Sequence, residues 1–405
     1  MIIGIIGGGA SGMAAALAAS ENENVRVLLF ERQARLGRKL LATGNGRCNL
    51  TNLNASPDDY YGADKGKFAA PALAKYDVNN TLTWFRDMGL LTVAEDSGRV
   101  YPYSDQANSV VDVLRFALQK PNIQVLTGVE VSKIRKTDAG FTVETGEENY
   151  LCDRLIVACG GLAGTKLGGS MSGYKLLMKL GHHCTKLRPT LVQIKSDWPA
   201  LPSLKGVRAN CWAEITRDGK LHSAGKGEIQ FTEYGLSGPL IFEISRDVCH
   251  EKGNWTCKLE LLPDMPQDTL LSMLRKKRQT ELTAEDLLTG ILHNRLGRIL
   301  VKEAGISGYV PIRQLEDWEL EKVCDEVFGL QVPLTEPMGM DAAQVTAGGI
   351  LTSEFDPNTM ESRLVPGLYA CGEVLDIDGD CGGYNLQWAW SSGRCAGEHA
   401  GKETT

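Results

Sequence analysis

The sequence predicts an α/β protein: a parallel sheet with helices, split by an inserted β-rich segment that carries a helical part of its own. Three observations lead there. The first thirty-one residues read as strand, glycine turn, small-residue helix and second strand. Residues 189–341 change to short β-rich runs and then to charged helix. From residue 342 the first pattern resumes.

Residues 2–6 are an unbroken apolar run, as expected of a strand buried on both faces. Gly7-Gly8-Gly9-Ala10-Ser11-Gly12 follows at once and fits G-x-G-x-x-G. Residues 14–19 then form a helix of small side chains, and residues 25–30 a second apolar run ending on Glu31, nineteen residues after Gly12. Each part has its own task. Gly7 permits a tight turn, Gly9 lets a pyrophosphate approach the backbone, and Gly12 lets helix and strand touch. The N–H groups at the helix start, around Ala10 and Ser11, hold phosphate oxygens. Glu31 can accept hydrogen bonds from a ribose 2′-OH. This order of parts marks a Rossmann-like dinucleotide-binding unit. An acid at the ribose position favours an adenosine without a 2′-phosphate, which leaves FAD or NAD.

The length of 405 residues suggests two or three domains, and 43% hydrophobic with 23% charged residues is ordinary globular composition. A net charge of −7 argues against a large non-specific nucleic-acid footprint. No basic region precedes the first apolar run, and no apolar stretch approaches the roughly 18 residues of a membrane helix. The expectation is a cytoplasmic protein with no membrane partner. The eleven cysteines form no C-x-x-C pair. They read as reduced, buried thiols rather than a zinc ribbon or a redox dithiol.

After Glu31 and Arg32, the segment to residue 51 contains the turn Gly44-Asn45-Gly46 and the cations Lys39 and Arg47. Its place directly after the ribose acid favours a loop over the cofactor, with Leu40 and Cys48 in the same stretch, above a merely solvated loop. Residues 58–120 read as mostly helical, notably 79–88 and 109–120, interrupted by 98–102. Strand-like runs at 123–127, 130–135, 141–145 and 149–151 read as a meander, with 129–134 alongside the adenine end. Residues 155–159 are a third buried strand, and Ala158, Cys159 and Gly160 bring bare backbone up to the cofactor. Cys159 has no base beside it and reads as structural. Residues 173–180 form a helix closed by Gly181. His182-His183 lacks a second cluster at ligand spacing and also reads as structural.

Inside the insertion, β-rich runs are expected at 191–194, 209–215, 228–231, 240–244 and 255–261. Residues 266–326 turn helical, with Leu270, Leu271 and Leu274 on one face. Arg275-Lys276-Lys277-Arg278 is the one basic run and reads as a solvated helix face. The expected domains are 1–188 with 342–405, 189–265 with 327–341, and a helical part at 266–326.

The closing stretch decides between FAD and NAD. A strand at 368–370 runs into Cys371-Gly372-Glu373, whose carboxylate can meet ribityl hydroxyls. The acidic, glycine-rich turn 376–383, with Asp380, Gly382 and Gly383, then leads into a helix over 384–399. The N-terminus of that helix can face the pyrimidine edge of a flavin and stabilise the negative charge that appears there on reduction. A nicotinamide needs no such arrangement.

These stretches resemble the BaiN/YhiN-like (aminoacetone-oxidase-family) FAD-dependent oxidoreductases of bacteria. The resemblance covers nearly the whole chain and rests on GGGASG at 7–12, GRKLLATGNGRCNLTN at 37–52, GEIQFTEYGLSGP at 227–239, VTAGGI at 345–350 and MESRLVPGLYACGEVLDIDGDCGGYNLQWAWSSG at 360–393. It implies a glutathione-reductase-like FAD domain split by a β-rich and helical insertion. It also implies that Glu31, Arg32, Lys39, Asn49, Val131, Gly372, Glu373, Asn385 and Leu386 line the cofactor. Cys159 stands where related flavoproteins often have Thr.

The function expected from this is hydride transfer between a small or mid-sized organic substrate and flavin N5. The insertion would cover the ring, and Arg47, Cys48, Tyr234 and Tyr384 would lie near it. No second G-x-G-x-x-G is present, so NAD(P)H, as reductant, would dock transiently. Flavin-dependent RNA modification and a non-catalytic flavin redox sensor are the competing readings. No residue is singled out as the catalytic acid or base.

Overall fold

Ile2–Ile6 has parallel neighbours on both edges, Arg26–Glu31 and Arg154–Val157, which is why its run is apolar throughout. The computed structural model, which describes residues 1–64 and 66–402, extends this pairing to five parallel strands. Their order is Leu368–Ala370, Arg154–Val157, Ile2–Ile6, Arg26–Glu31, Ile123–Thr127. Ile3, Ile5, Val27, Leu29, Leu155 and Ile156 are fully buried in it. The chain forms two compact units, residues 1–189 with 343 onwards, and residues 190–342.

One sequence expectation is regrouped. Residues 123–127 do not join the meander but pair in parallel with Arg26–Glu31, after the helix Ala107–Ala117. A strand reached through a helix is placed to return parallel, whereas short turns favour antiparallel partners. Val131–Thr137, Gly140–Thr145 and Asn149–Cys152 form the antiparallel sheet that remains. The interruption at 98–102 is itself a strand, Arg99–Pro102, between Thr51–Asn52 and Thr92–Ala94.

The helix Ala10–Ala19 packs on the closing helix, Tyr384–Gly401, through backbone rather than side chains. A Cβ on Gly393 would stand 2.3 Å from the Ser11 carbonyl oxygen, and one on Gly397 would stand 2.2 Å from that of Ala15. Gly401 faces Ala19 in the same way at 3.1 Å. Both lists ascend in steps of four, so the helices run in the same direction. Their N-termini therefore point to one end of the unit.

Glu398 ties the far end of the closing helix to its surroundings. It accepts from Lys75 at 2.5 Å, Lys402 at 2.9 Å and the Tyr76 hydroxyl. Burial alone would raise its carboxyl, but these donors outweigh burial and hold it at about 2, below an ordinary 4.5. A carboxyl lowered on folding contributes its full stabilisation above the unfolded value and loses it as pH falls towards the folded one. The urea midpoint should therefore fall between pH 4.5 and about 2, and less steeply in Glu398→Gln. Equal slopes in the two proteins would contradict this assignment.

The second unit is built on six antiparallel strands in the order Ile194–Lys195, Gly235–Ser237, Lys220–Phe231, Arg208–Arg217, Trp255–Glu260, Leu330–Leu334. Residues 240–244, expected as a strand, are instead the helix Pro239–Ile244. Gly238 at φ +104° ends the strand before it, and Pro239 at the first helical position pre-sets the helix. Gln267–Lys277, Asn294–Glu303 and Asp317–Gly329 supply the helical part. The basic run is largely used inside this unit. Arg275 and Arg278 both bond Asp317, at 2.7 and 2.5 Å. Lys277 donates to the carbonyls of Leu287 and Thr289 at 2.8 Å. Among the described residues no helix is long and apolar enough to cross a membrane.

Candidate functional site

Parallel strands release their chains at a common edge, and ligands of open α/β sheets bind there. Four neighbouring strand ends deliver Gly7–Gly12, Arg32, Ala158–Gly160 and Cys371–Glu373 to that edge. The glycines divide by what requires them. Gly7 adopts φ +112°, which favours glycine. A Cβ on Gly12 would stand 1.8 Å from the Gly7 carbonyl oxygen, so here the chain itself demands glycine. Gly9 is different: its φ of −81° suits any residue, and a Cβ there would meet nothing within 4 Å. Nothing in the chain requires glycine at this position, and the open space before it leaves room for a ligand to approach the backbone. Gly160, at φ +69°, also faces open space.

Gly9 caps the first helix without a side-chain hydrogen bond, so the N–H groups of Ala10, Ser11 and Gly12 meet no capping side chain. Such a helix start suits a pyrophosphate. Glu31 accepts from the N–H of Gly8 and of Gln33, each at 2.7 Å. A carboxylate has about four acceptor sites, which leaves room for ribose hydroxyls. The N–H of Val129 donates to the Glu31 carbonyl at 3.0 Å, and Val131 lies buried two residues further on. The Arg32 guanidinium is anchored on the Gly168 carbonyl at 2.5 Å. Cys159 donates to the Ile6 carbonyl, and burial pushes its thiol up to about 12, so it is no nucleophile.

Glu373 is the centre of a second cluster. Its carboxylate takes Lys39 Nζ at 2.8 Å and the Thr346 N–H at 2.8 Å. The Thr346 hydroxyl in turn accepts from the N–H groups of Leu162 and Ala163 at 2.9 and 2.8 Å. Gly372, at φ +75°, donates its N–H to Ser392 on the closing helix at 3.0 Å. Sequence reasoning missed Thr346 and Ser392, because no spacing ties either to a glycine-acid pair.

The closing helix starts after Gly382 and Gly383, at φ +115° and +106°. Segment 49–52 runs along this start: Asn52 donates to the Gly382 carbonyl at 2.9 Å, and Trp390 to that of Leu50 at 2.9 Å. Asn49 is buried and its Oδ1 has no hydrogen-bond partner among the described residues. A buried acceptor costs about 1–3 kcal/mol when unpaired, so a ligand donor at this point removes a penalty. Open glycines, an uncapped helix start, a carboxylate with spare acceptor sites and an orphaned amide oxygen together fit a dinucleotide.

Several expected residues also have partners within the protein. Arg47 does not join Lys39 in one basic patch. It stacks on Tyr101 at 4.0 Å and faces Glu95 and Asp105 at 3.3 and 3.4 Å. Leu40 packs into the apolar core. Cys48 is fully buried at φ +63°, in a run with Gly44, Asn45 and Gly46 at positive φ, and burial pushes its thiol up to about 12. That removes it as a thiolate. Asp380 accepts from the Tyr61 hydroxyl at 2.8 Å, and the side chain of Asn385 bonds the preceding turn. Leu386 is half-buried beside it, against the core. His182 and His183 share Glu354, at 2.8 and 2.6 Å, and Ser362 closes the group at 3.0 Å.

Comparison with known proteins agrees with this geometry. The family model described as HI0933-like protein Rossmann domain matches residues 1–399. The chain is 38% identical to a 3-dehydro-bile acid delta(4,6)-reductase of Clostridium scindens, over 98% of each protein. It is 32% identical to a ribosomal RNA dihydrouridine synthase of Escherichia coli, over 96% of this chain and 95% of that one. The crystal structure of 3-ketosteroid delta1-dehydrogenase from Sterolibacterium denitrificans shares the fold, with a TM-score of 0.50 at 13% identity over 98% and 99% of the two chains. The chain belongs to the HI0933-like family, and is an FAD-dependent oxidoreductase.

Proposed function

We propose that the protein reduces a carbon–carbon double bond conjugated to a carbonyl group in a small organic molecule. The observation that carries this reading is the pair of relatives, a bile acid delta(4,6)-reductase and a dihydrouridine synthase. A 3-oxo compound with a 4,5 double bond and the 5,6 bond of uracil share one pattern, an alkene polarised by a carbonyl. Bound FAD, in its reduced form, would supply the hydride for the β-carbon, and the α-carbon would take its proton from water. NAD(P)H fits the role of reductant, docking transiently. In this reading the chain's own groups hold and tune. The first helix binds the pyrophosphate and Glu373 the polyol, while the start of the closing helix stabilises negative charge on the ring's pyrimidine edge.

A second reading, reduction of uridine in ribosomal RNA, draws on the Escherichia coli relative. The net charge of −7 and the pairing of Arg275 and Arg278 with Asp317 favour the small molecule. The test offers the reduced enzyme a 3-oxo-Δ4 steroid and, separately, a uridine-containing ribosomal RNA fragment, without oxygen. Mass spectrometry should find two added hydrogens in the steroid and none in the RNA. The reverse result would replace the small-molecule reading with the RNA one.

A further inference from the structure

Asn385 is the second residue of the closing helix, where a side chain has a free choice between a bound cofactor and the chain. It takes the chain. Its Oδ1 accepts from the Gly379 N–H at 2.8 Å, while its Nδ2 donates to the carbonyls of Gly379 at 2.8 Å and Asp380 at 3.1 Å. Both amide hydrogens are thereby engaged. The amide imitates a strand partner, closing Gly379 on one side while Tyr60 pairs with it on the other.

The rest of the turn is equally determined. A Cβ on Gly379 would stand 3.0 Å from both the Tyr384 Cβ and the Tyr60 ring, and one on Gly383 would stand 2.3 Å from the Thr51 carbonyl oxygen. The Tyr60 hydroxyl donates to the Tyr384 carbonyl at 2.9 Å. Three elements thus converge on six residues: the Tyr60–Tyr61 strand, segment 51–52 and the amide of Asn385. Of these, only Asn385 belongs to the helix that the turn introduces.

We propose that Asn385 is a positioning residue: its side chain clamps residues 378–383 and so fixes where the N-terminus of the closing helix stands before FAD arrives. The helix N–H groups and dipole then meet the flavin without having to be ordered by it. Asn385 acts on the cofactor through the turn, and its amide makes no hydrogen bond to the flavin from Nδ2.

Hydrogen exchange on the FAD-free protein, with FAD titration of the same samples, tests this. In the native protein the amides of 378–386 should be protected without FAD. In Asn385→Ala that protection should fall at least tenfold while protection of the parallel strands is kept, and the FAD dissociation constant should rise about tenfold. Asn385→Ser, which keeps a short acceptor, should show the same pattern more weakly and covers the case in which the alanine variant does not fold. Weaker FAD binding with unchanged exchange would mean a direct contact and overturn the proposal. Altered exchange with unchanged FAD binding, or no change in either, would overturn it as well. No substrate enters the experiment, so its outcome is independent of the proposed reaction.

Discussion

Gly397→Ala is expected to destabilise the FAD-binding unit by about 2–3 kcal/mol, although alanine favours an isolated helix over glycine by about 1 kcal/mol. The new methyl group would stand 2.2 Å from the Ala15 carbonyl oxygen, inside any permitted contact, and Ala15 is fully buried. Either the helices part or one shifts along the other. Both responses damage the site, because the contacts set the register of two helix N-termini. The closing helix begins nine residues before the Gly393–Ser11 contact and the first helix only one before it. At 1.5 Å per residue the closing helix thus projects about 12 Å beyond the first. In the proposed function that offset would place one terminus at the pyrophosphate and the other at the ring. Gly397→Leu should abolish folding of the unit or its FAD binding outright. Urea denaturation of the alanine variant checks the sign: a stability equal to or above that of the native protein would mean that the helices do not meet here.

Glu373→Ala should weaken FAD binding about a hundredfold, roughly 3 kcal/mol, through loss of the carboxylate proposed to meet the polyol and of the order it imposes on its neighbours. The substitution removes the acceptor for Lys39 and for the Thr346 N–H, both at 2.8 Å. Thr346 then loses its tether while still holding Leu162 and Ala163. Glu373→Gln keeps one acceptor but no charge, and should fall between the two proteins. Fluorescence titration of the FAD-free variants gives the dissociation constants. A value within threefold of the native one for Glu373→Ala would remove this carboxylate from the cofactor's surroundings.

What the sequence could convey depended on the distance over which each contact is made. The first strand, turn and helix were legible because their signals are local: an apolar run, glycines at fixed offsets and small residues at helical spacing. Gly393, Gly397 and Gly401 were not singled out, because their partners Ser11, Ala15 and Ala19 lie at the other end of the chain. Arg47 shows a limit of another kind. Its position beside Gly46 suggested a cofactor contact, yet its partners Glu95 and Asp105 are 48 and 58 residues away. For residues 240–244 a five-residue apolar run has no diagnostic period, and the informative signal was the Gly238-Pro239 pair in front of it. Asn385 was marked by resemblance as cofactor-lining, while its hydrogen bonds to Gly379 and Asp380 could be seen only once the turn was folded.

The proposed chemistry is tested most directly by mixing the reduced protein, without oxygen, with a conjugated enone and with the corresponding saturated ketone, and following the return of the oxidised flavin spectrum. The account predicts reoxidation at least about a hundredfold faster with the enone, a barrier lower by about 2.7 kcal/mol. Equal rates with the two compounds would contradict it, because the double bond would then play no part in accepting the hydride.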